Sequence, residues 1–235
     1  GKHMKKINVL DKGYVILHQV MGDDLTVVNA ARVSYDRKSH ELSEKDERLI
    51  KYLAENDHTS PFRHATLQFE FYAPLMVARQ HWKYVVGSDH VMDAWNESSR
   101  RYVTEDAEFY IPSDDEWRSK PPKGKSKQGS GEPVSKEIGK YYTKELMKVI
   151  SHAKVLYQQA IEDGIAVEQA RLFLPAYAMY VRYYWTASLQ SVAHFIKQRT
   201  AEDAQKEIQE YAKAVKELAM EKFPVSLKEL LKEGV

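Results

Sequence analysis

The chain has 235 residues, 35 lysines and arginines against 34 aspartates and glutamates, a formal net charge of +1, and no cysteine. It is long enough to bury a core as one large domain or two small ones, and its balanced charge gives no global field for nucleic acid, so any polyanion must be met locally. The missing cysteine excludes disulfides, thiolate metal sites and every cysteine nucleophile, and fits a reducing compartment. No apolar run of about 18 residues or more is present to span a membrane, so a soluble, cytoplasmic, globular protein is expected. Gly1, Lys2, His3 and Met4 read as a tag remnant up to the native Met4 and are set aside.

The opening KINVLDKGYVILHQVMG mixes β-branched residues with a turn at Gly13 and predicts an early strand or hairpin. From Leu25 to Val33 the apolar spacing is helical, ending near ARVSY. Ser43 followed by Asp46 and Glu47 has the form of an N-cap, and Leu49, Ile50 and Leu53 supply the apolar stripe behind it. His58-Thr59-Ser60-Pro61-Phe62 ends that helix. Leu67, Phe69 and Phe71 alternate with Gln68, Glu70 and Tyr72, which predicts a half-buried strand. Pro74 suits the first position of a helix over LMVARQHWKYVV, on which Arg79 and Lys83, like Gln80 and Tyr84, share a face.

From Pro112 to Lys136 proline, glycine, serine and lysine dominate. Nothing there is expected to pack, and the stretch reads as a mobile surface loop, about 112–136, inside one domain spanning 5–235. A solvated excursion and a phosphate-catching lid would both have this composition. Beyond it the chain is expected to be helical. One helix runs from Lys136 to Asp163 with Gly164 as its stop, one from Val167 to Phe173, one from Tyr183 to Gln198, and one from Glu202 to Lys222 before Pro224. Strands early and helices late predict an α+β (mixed α/β) class, with helices packed on a mixed, mostly antiparallel sheet.

The richest chemistry lies between Arg79 and Tyr102. Arg79 and Lys83 stand at one end and Arg100 and Arg101 at the other, with Ser88, Asn96, Glu97, Ser98 and Ser99 between. Arginine forks bind phosphate oxygens bidentately, and hydroxyls add directional bonds. A carboxylate such as Glu97 suits a base NH or a ribose hydroxyl. A surface loop with a salt-bridge network would carry the same residues.

Taken in order, the segments LDKGYV, MGDDL and AARVSY at the N-terminus, HTSPFRH, APLMVARQ, NESSRRY, FYIPS, ARLFLPAYAMYVRYYWTASLQSVAHF and QRTAEDAQKEIQEYA resemble the flavin-dependent thymidylate synthases over nearly the whole chain. The resemblance implies an α/β domain, a homotetramer with active sites at subunit junctions, FAD as cofactor, and conversion of dUMP to dTMP. Methylenetetrahydrofolate would be the carbon donor and NADPH the reductant. It also accounts for the absent cysteine, because reduced flavin replaces the thiolate route to thymidylate. The protein's remaining task is to hold the base and polarise it.

The family's hallmark is an Arg-His-Arg triplet, a serine, and then NExSxR. Asn96, Glu97, Ser99 and Arg101 match the second half, and Ser88 follows at the expected distance. The triplet itself is replaced by Lys83-Tyr84-Val85, and the chain between Ser88 and Asn96 is longer by about six residues (DHVMDA). Lys83 keeps the charge but loses the fork. Tyr84 can stack or donate a hydrogen bond, and Val85 can do neither. The resemblance implies a substrate set of Gln80, Lys83, Glu97, Ser98, Ser99, Arg101, Arg171 and Arg199, with Arg199 catalytic beside the uracil carbonyl. It implies a flavin set of His58, Ser60, Lys83, Tyr84, Ser88, Ser188 and His194, and no metal.

Three other readings remain open at this level. A relative with this altered motif could act on UMP, dCMP or another pyrimidine nucleotide, or deliver hydroxymethyl in place of methyl. A flavin-free nucleotide-binding protein could have lost the triplet with its catalysis. A metal hydrolase is suggested by nine histidines, but none of His58, His64, His81 and His90 forms a zincin-type pair.

Overall fold

A computed structural model describes residues 5–33, 38–86, 94–97, 107–124 and 130–232, with the backbone alone at 84–86 and 94–97. Strand β1 (Lys5–Val9) turns into β2 (Gly13–Met21). The hairpin needs a glycine at 13, because a Cβ there would overlap the Tyr211 hydroxyl, which donates to the Tyr72 carbonyl at 2.7 Å. Helix α1 (Asp24–Ala31) starts on the carboxylate of Asp23, and α2 (Glu44–Glu55) on a reciprocal capping box between Ser43 and Asp46. A short 3-10 turn, Ser60–His64, leads into β3 (Thr66–Pro74). The remaining elements are α3 (Leu75–Val86), β4 (Ala94–Glu97), α4 (Lys136–Glu162), α5 (Val167–Ala170), β5 (Tyr180–Ser188), α6 (Leu189–Arg199), α7 (Lys206–Lys222) and α8 (Pro224–Leu231).

The strands form one sheet in the order β1-β2-β3-β5-β4, and every described pairing is antiparallel. On the central pair, Phe71 lies opposite Tyr183 and Phe69 opposite Trp185. These residues, with Leu67, Ala73, Val181 and Ala187, form a face that is buried throughout. Helices α3, α6 and α7 pack over it. At roughly 1.5–3 kcal/mol for each large apolar side chain fully buried, this layer dominates the stability. The α+β class expected from the sequence holds. Among the described residues no helix is long and apolar enough to cross a membrane.

Several expectations change. The stretch from Tyr183 to Gln198 is not one helix: β5 runs to Ser188 and α6 begins at Leu189. Alternate β5 residues enter the core between β3 and β4, so pairing overrides the helical reading of an aromatic run that suits either state. The last long helix starts at Lys206 rather than Glu202, and Pro224 does not end the helical region. It opens α8, where a missing N–H costs nothing, and the Asp24 carboxylate accepts from the N–H groups of Val225 and Ser226 at 3.1 and 2.9 Å. Pro74 is the last residue of β3, paired with Tyr180, and α3 begins after it. The second face of β3 is not left to solvent. Glu70 is 5% exposed because Tyr14 donates to it at 2.6 Å, His18 Nε2 lies 2.7 Å away and Arg182 3.8 Å away. Tyr72 is buried against Tyr180 and Tyr110.

The stretch after Pro112 also packs, in its described residues. Trp117 Nε1 donates to the Thr143 hydroxyl on α4 at 2.9 Å, and that hydroxyl donates to the Pro112 carbonyl at 2.8 Å. Arg118 pairs in bridge fashion with Pro133 and donates to Glu207 on α7. Gly139 gives the Asp114 carbonyl room against the first turn of α4. The composition concealed this arm because two large side chains, Trp117 and Arg118, tie its described residues to distant α4 and α7.

Candidate active site

Arg199 is the last residue of α6. It does more than end its helix, because Nη2 donates to the main-chain carbonyl of Gln80 on α3 at 3.0 Å. Both residues are half-buried where the two helices meet over the sheet. The next residue on α3, His81, is fully enclosed. Its ring lies 4.4 Å from Trp185, 4.5 Å from Phe195 and 4.8 Å from Phe71, centroid to centroid, and its Nδ1 lies 3.0 Å from the Tyr183 hydroxyl. Burial, and then the Arg199 charge, hold the His81 imidazole well below its ordinary pKa, so it is neutral at physiological pH.

Strand β4 brings part of the signature to the same corner. Its backbone pairs Glu97 with Tyr183 and Asn96 with Tyr184. Tyr183 therefore joins two site segments: its backbone lies opposite Glu97 and its hydroxyl meets the neighbour of Gln80. On the outer side of α3, Arg79 and Lys83 are exposed and Trp82 is 48% exposed, a cationic and aromatic surface one turn from Gln80. Tyr84 and Val85 are described only as backbone of α3. Ser88, Ser98, Ser99 and Arg101 lie outside the described residues, as does most of the segment between Ser88 and Asn96.

The residues expected at a flavin fall on neighbouring elements. His58 is exposed and meets Tyr52 edge to face at 5.7 Å. Ser60 is exposed at the start of the 3-10 turn, which packs against α1 and α6. His194 is half-buried on α6. Burial, then the charges of Lys197 and Arg199, lower its pKa, leaving a neutral ring able both to donate and to accept. Ser188 differs from the rest. It is buried, and its hydroxyl caps α6, accepting from the Ser191 N–H and donating to the Ser191 hydroxyl, both at 3.2 Å. Arg171 stands half-buried in the 3-10 turn Arg171–Phe173, between α5 and the exposed Leu172 and Phe173. That turn packs mainly on α4 and α5.

Sequence reasoning passed over His81 and Tyr183. The signal for His81 was present: Val77, Ala78 and His81 fall at helical spacing on one face and are buried together. Tyr183 was hidden by the misread β5.

A family model described as "Thymidylate synthase complementing protein" (Thy1) matches residues 16–225. The flavin-dependent thymidylate synthase of Thermotoga neapolitana is 36% identical over 227 residues, covering 97% of this chain and 94% of its own length. That of Thermosipho africanus is 38% identical over 225 residues, covering 95% and 93%. Among solved structures, the UMP/dUMP methylase PolB from Streptomyces cacaoi bound with 5-Br dUMP has a TM-score of 0.80 at 27% identity, over 95% of this chain and 96% of that one. The same protein bound with 5-Br UMP has a TM-score of 0.79 at 26% identity, over 95% of each. A family match over residues 16–225, with relatives 36–38% identical over nearly the whole chain, shows that the chain belongs to the flavin-dependent thymidylate synthase (Thy1) family.

Proposed function

We propose that this protein methylates C5 of the uracil ring of dUMP, giving dTMP, with bound FAD, methylenetetrahydrofolate as carbon donor and NADPH as reductant. The observation that carries the reading is the Arg199 guanidinium held on the Gln80 carbonyl at 3.0 Å. A fork fixed through one N–H keeps its other donors aimed in one direction. Directed at a uracil carbonyl, they stabilise the negative charge that grows there as C5 becomes the nucleophile. Glu97 and Gln80 would orient the base, and Arg101, Arg171 and Lys83 would meet the phosphate, with Ser98 and Ser99 supplying hydroxyl bonds.

The residues present suit a flavin dinucleotide in kind. Two imidazoles, exposed His58 and neutral His194, can bond ring heteroatoms. Ser60 offers an exposed hydroxyl, and the exposed cations Arg79 and Lys83 suit a diphosphate. Tyr84 and Ser88 complete the set by resemblance, while Ser188 would contribute only through the α6 cap it forms. When bound and reduced by NADPH, FAD would supply the two electrons that bring the transferred carbon to a methyl group.

Residues 5–235 act as one catalytic domain in this reading, in the cytoplasm and as a homotetramer. Support for assembly comes from α4, where Ile138, Tyr141, Tyr142 and Val149 share one face and are each half or more exposed, more apolar surface than a free helix face ordinarily carries. A second reading, methylation of UMP, is favoured by the likeness to a UMP/dUMP methylase. Purified protein supplied with dUMP, UMP or dCMP, the folate and NADPH separates these readings by the mass of the nucleotide product. A colourless protein that binds dUMP without changing it would leave the flavin-free binding protein instead.

A further inference from the structure

A core histidine needs a reason. His81 is fully buried and Tyr183 is 1% exposed. An imidazole and a phenol in an aromatic cage cost free energy that two phenylalanines would not, unless they satisfy one another. The Tyr183 hydroxyl meets the ring's Nδ1 at 3.0 Å and offsets part of that cost. Their contact is also a second hydrogen-bonded point, among the described residues, at which α3 is fastened to the β5 segment. The first is at its start, where the Leu75 N–H donates at 2.8 Å to the carbonyl of Met179, the residue before β5. Two fastenings six residues apart on one helix fix its rotation as well as its position.

That rotation matters one residue away. The Gln80 carbonyl that receives Arg199 belongs to the same turn as His81. Cα atoms lie about 2.3 Å from a helix axis, so a turn of about 15° moves one, and the carbonyl beside it, by about 0.5–0.6 Å. Functional groups tolerate about 0.5 Å, and a displacement of about 1 Å can cost on the order of a hundredfold in rate. The neutral state of the ring suits this place, since an imidazolium would set a buried cation beside the Arg199 charge.

We propose that His81 and Tyr183 are positioning residues for Arg199: their buried contact sets the rotation of α3, and the Gln80 carbonyl passes that setting to the guanidinium. The inference rests on the catalytic role proposed for Arg199, and the test keeps the two apart. Tyr183→Phe retains the ring packing and removes the hydroxyl. Single-turnover product formation at saturating dUMP should fall on the order of tenfold, with dUMP affinity changed less than about threefold. In an Arg199→Lys background the same substitution should add less than about a twofold loss, because neighbouring groups that act through one another are not additive. His81→Gln, which keeps a partner for the Tyr183 hydroxyl, should retain more turnover than His81→Phe.

A crystal structure of Tyr183→Phe reads the geometry without activity, and the Arg199–Gln80 bond should be lengthened or lost in it. The bond unchanged in that crystal, equal losses in both backgrounds, or a lowered melting midpoint with normal turnover per folded site would each overturn the positioning role. Normal turnover in Arg199→Lys would instead sink the catalytic role of Arg199, and the crystal would still decide whether the contact places it.

Discussion

One guanidinium nitrogen of Arg118, Nη2, reaches both carboxylate oxygens of Glu207, at 2.6 and 2.7 Å. The pair joins the arm after Pro112 to the first turn of α7. Glu207 sits where a helix N-terminus favours negative charge, and the Tyr110 hydroxyl also donates to it at 3.3 Å. The side chains are 20% and 5% exposed, so removing Arg118 leaves a nearly buried carboxylate without its cation.

Arg118→Ala should therefore destabilise the fold by about 3 kcal/mol, the lower end for a buried pair because the arginine retains some water. The double variant Arg118→Met, Glu207→Leu should recover most of that loss, since well-packed apolar groups often replace such a pair at little cost. Urea midpoints of the three proteins check this. A double variant no better than Arg118→Ala would mean that the arm is held by something other than this pair.

Gly13 should not accept alanine. The added methyl would displace the Tyr211 hydroxyl from the Tyr72 carbonyl, breaking a buried hydrogen bond and overpacking the hairpin, for about 2–4 kcal/mol together. Gly124, at positive φ but with open space around it, should cost about 1 kcal/mol when changed to alanine, from backbone conformation alone. Thermal melts of the two variants should separate clearly.

Stability should decline on mild acidification, before the carboxylates titrate. The His81 pKa is depressed in the folded protein by burial and by Arg199. The unfolded chain takes up that proton near its ordinary value of about 6.5, and the folded chain does not. The stabilising difference is whole above about pH 6.5 and is lost as pH falls from there toward the lowered folded value, by up to about 1.4 kcal/mol per pH unit. His194, lowered in the same direction, adds a smaller part. Urea midpoints at pH 7.5 and 5.5 measure the slope, and His81→Gln should flatten it. An unchanged slope in that variant would assign the effect elsewhere.

Arg171 is expected to grip the nucleotide phosphate, as is Arg101 by the same resemblance. Replacing either by alanine removes one charge-assisted bond to a dianion and should weaken dUMP binding by about 1.5–3 kcal/mol. FAD affinity should change much less. Calorimetric titration with each ligand distinguishes this from a collapsed site, in which both affinities fall together.

The parts of the fold that were legible in sequence are those whose cause is local. The capping box of Ser43 with Asp46, and Gly164 at φ +91° after α4, each declare themselves within four residues. The parts that were not legible have distant causes. Strand β5 is aromatic on both faces and becomes a strand because β3 and β4 flank it. Helix α8 is capped by Asp24, and the arm by Thr143 and Glu207, none of them a neighbour in sequence. At the site, Gln80 and Arg199 were singled out by resemblance. The link between them runs through a main-chain carbonyl, which no residue pattern can display.

That link also makes Arg199 separable into two roles. As an anchor between α6 and α3 it needs one donor for the Gln80 carbonyl, which a lysine ammonium can supply. As the group that polarises the uracil it needs the planar fork, with one N–H on Gln80 and others on the base, which lysine lacks. Arg199→Lys should therefore keep the melting midpoint within a few degrees, weaken dUMP binding modestly, and lower turnover on the order of a hundredfold or more, because the lost bond is strongest when charge develops. Arg199→Ala should lose turnover as well, with a larger loss of binding and some loss of stability. A cation that only completes its helix, as cations near helix C-termini commonly do, would leave Arg199→Lys with near-normal turnover. Single-turnover dTMP formation at saturating dUMP, set beside thermal melts of the same preparations, decides between the two.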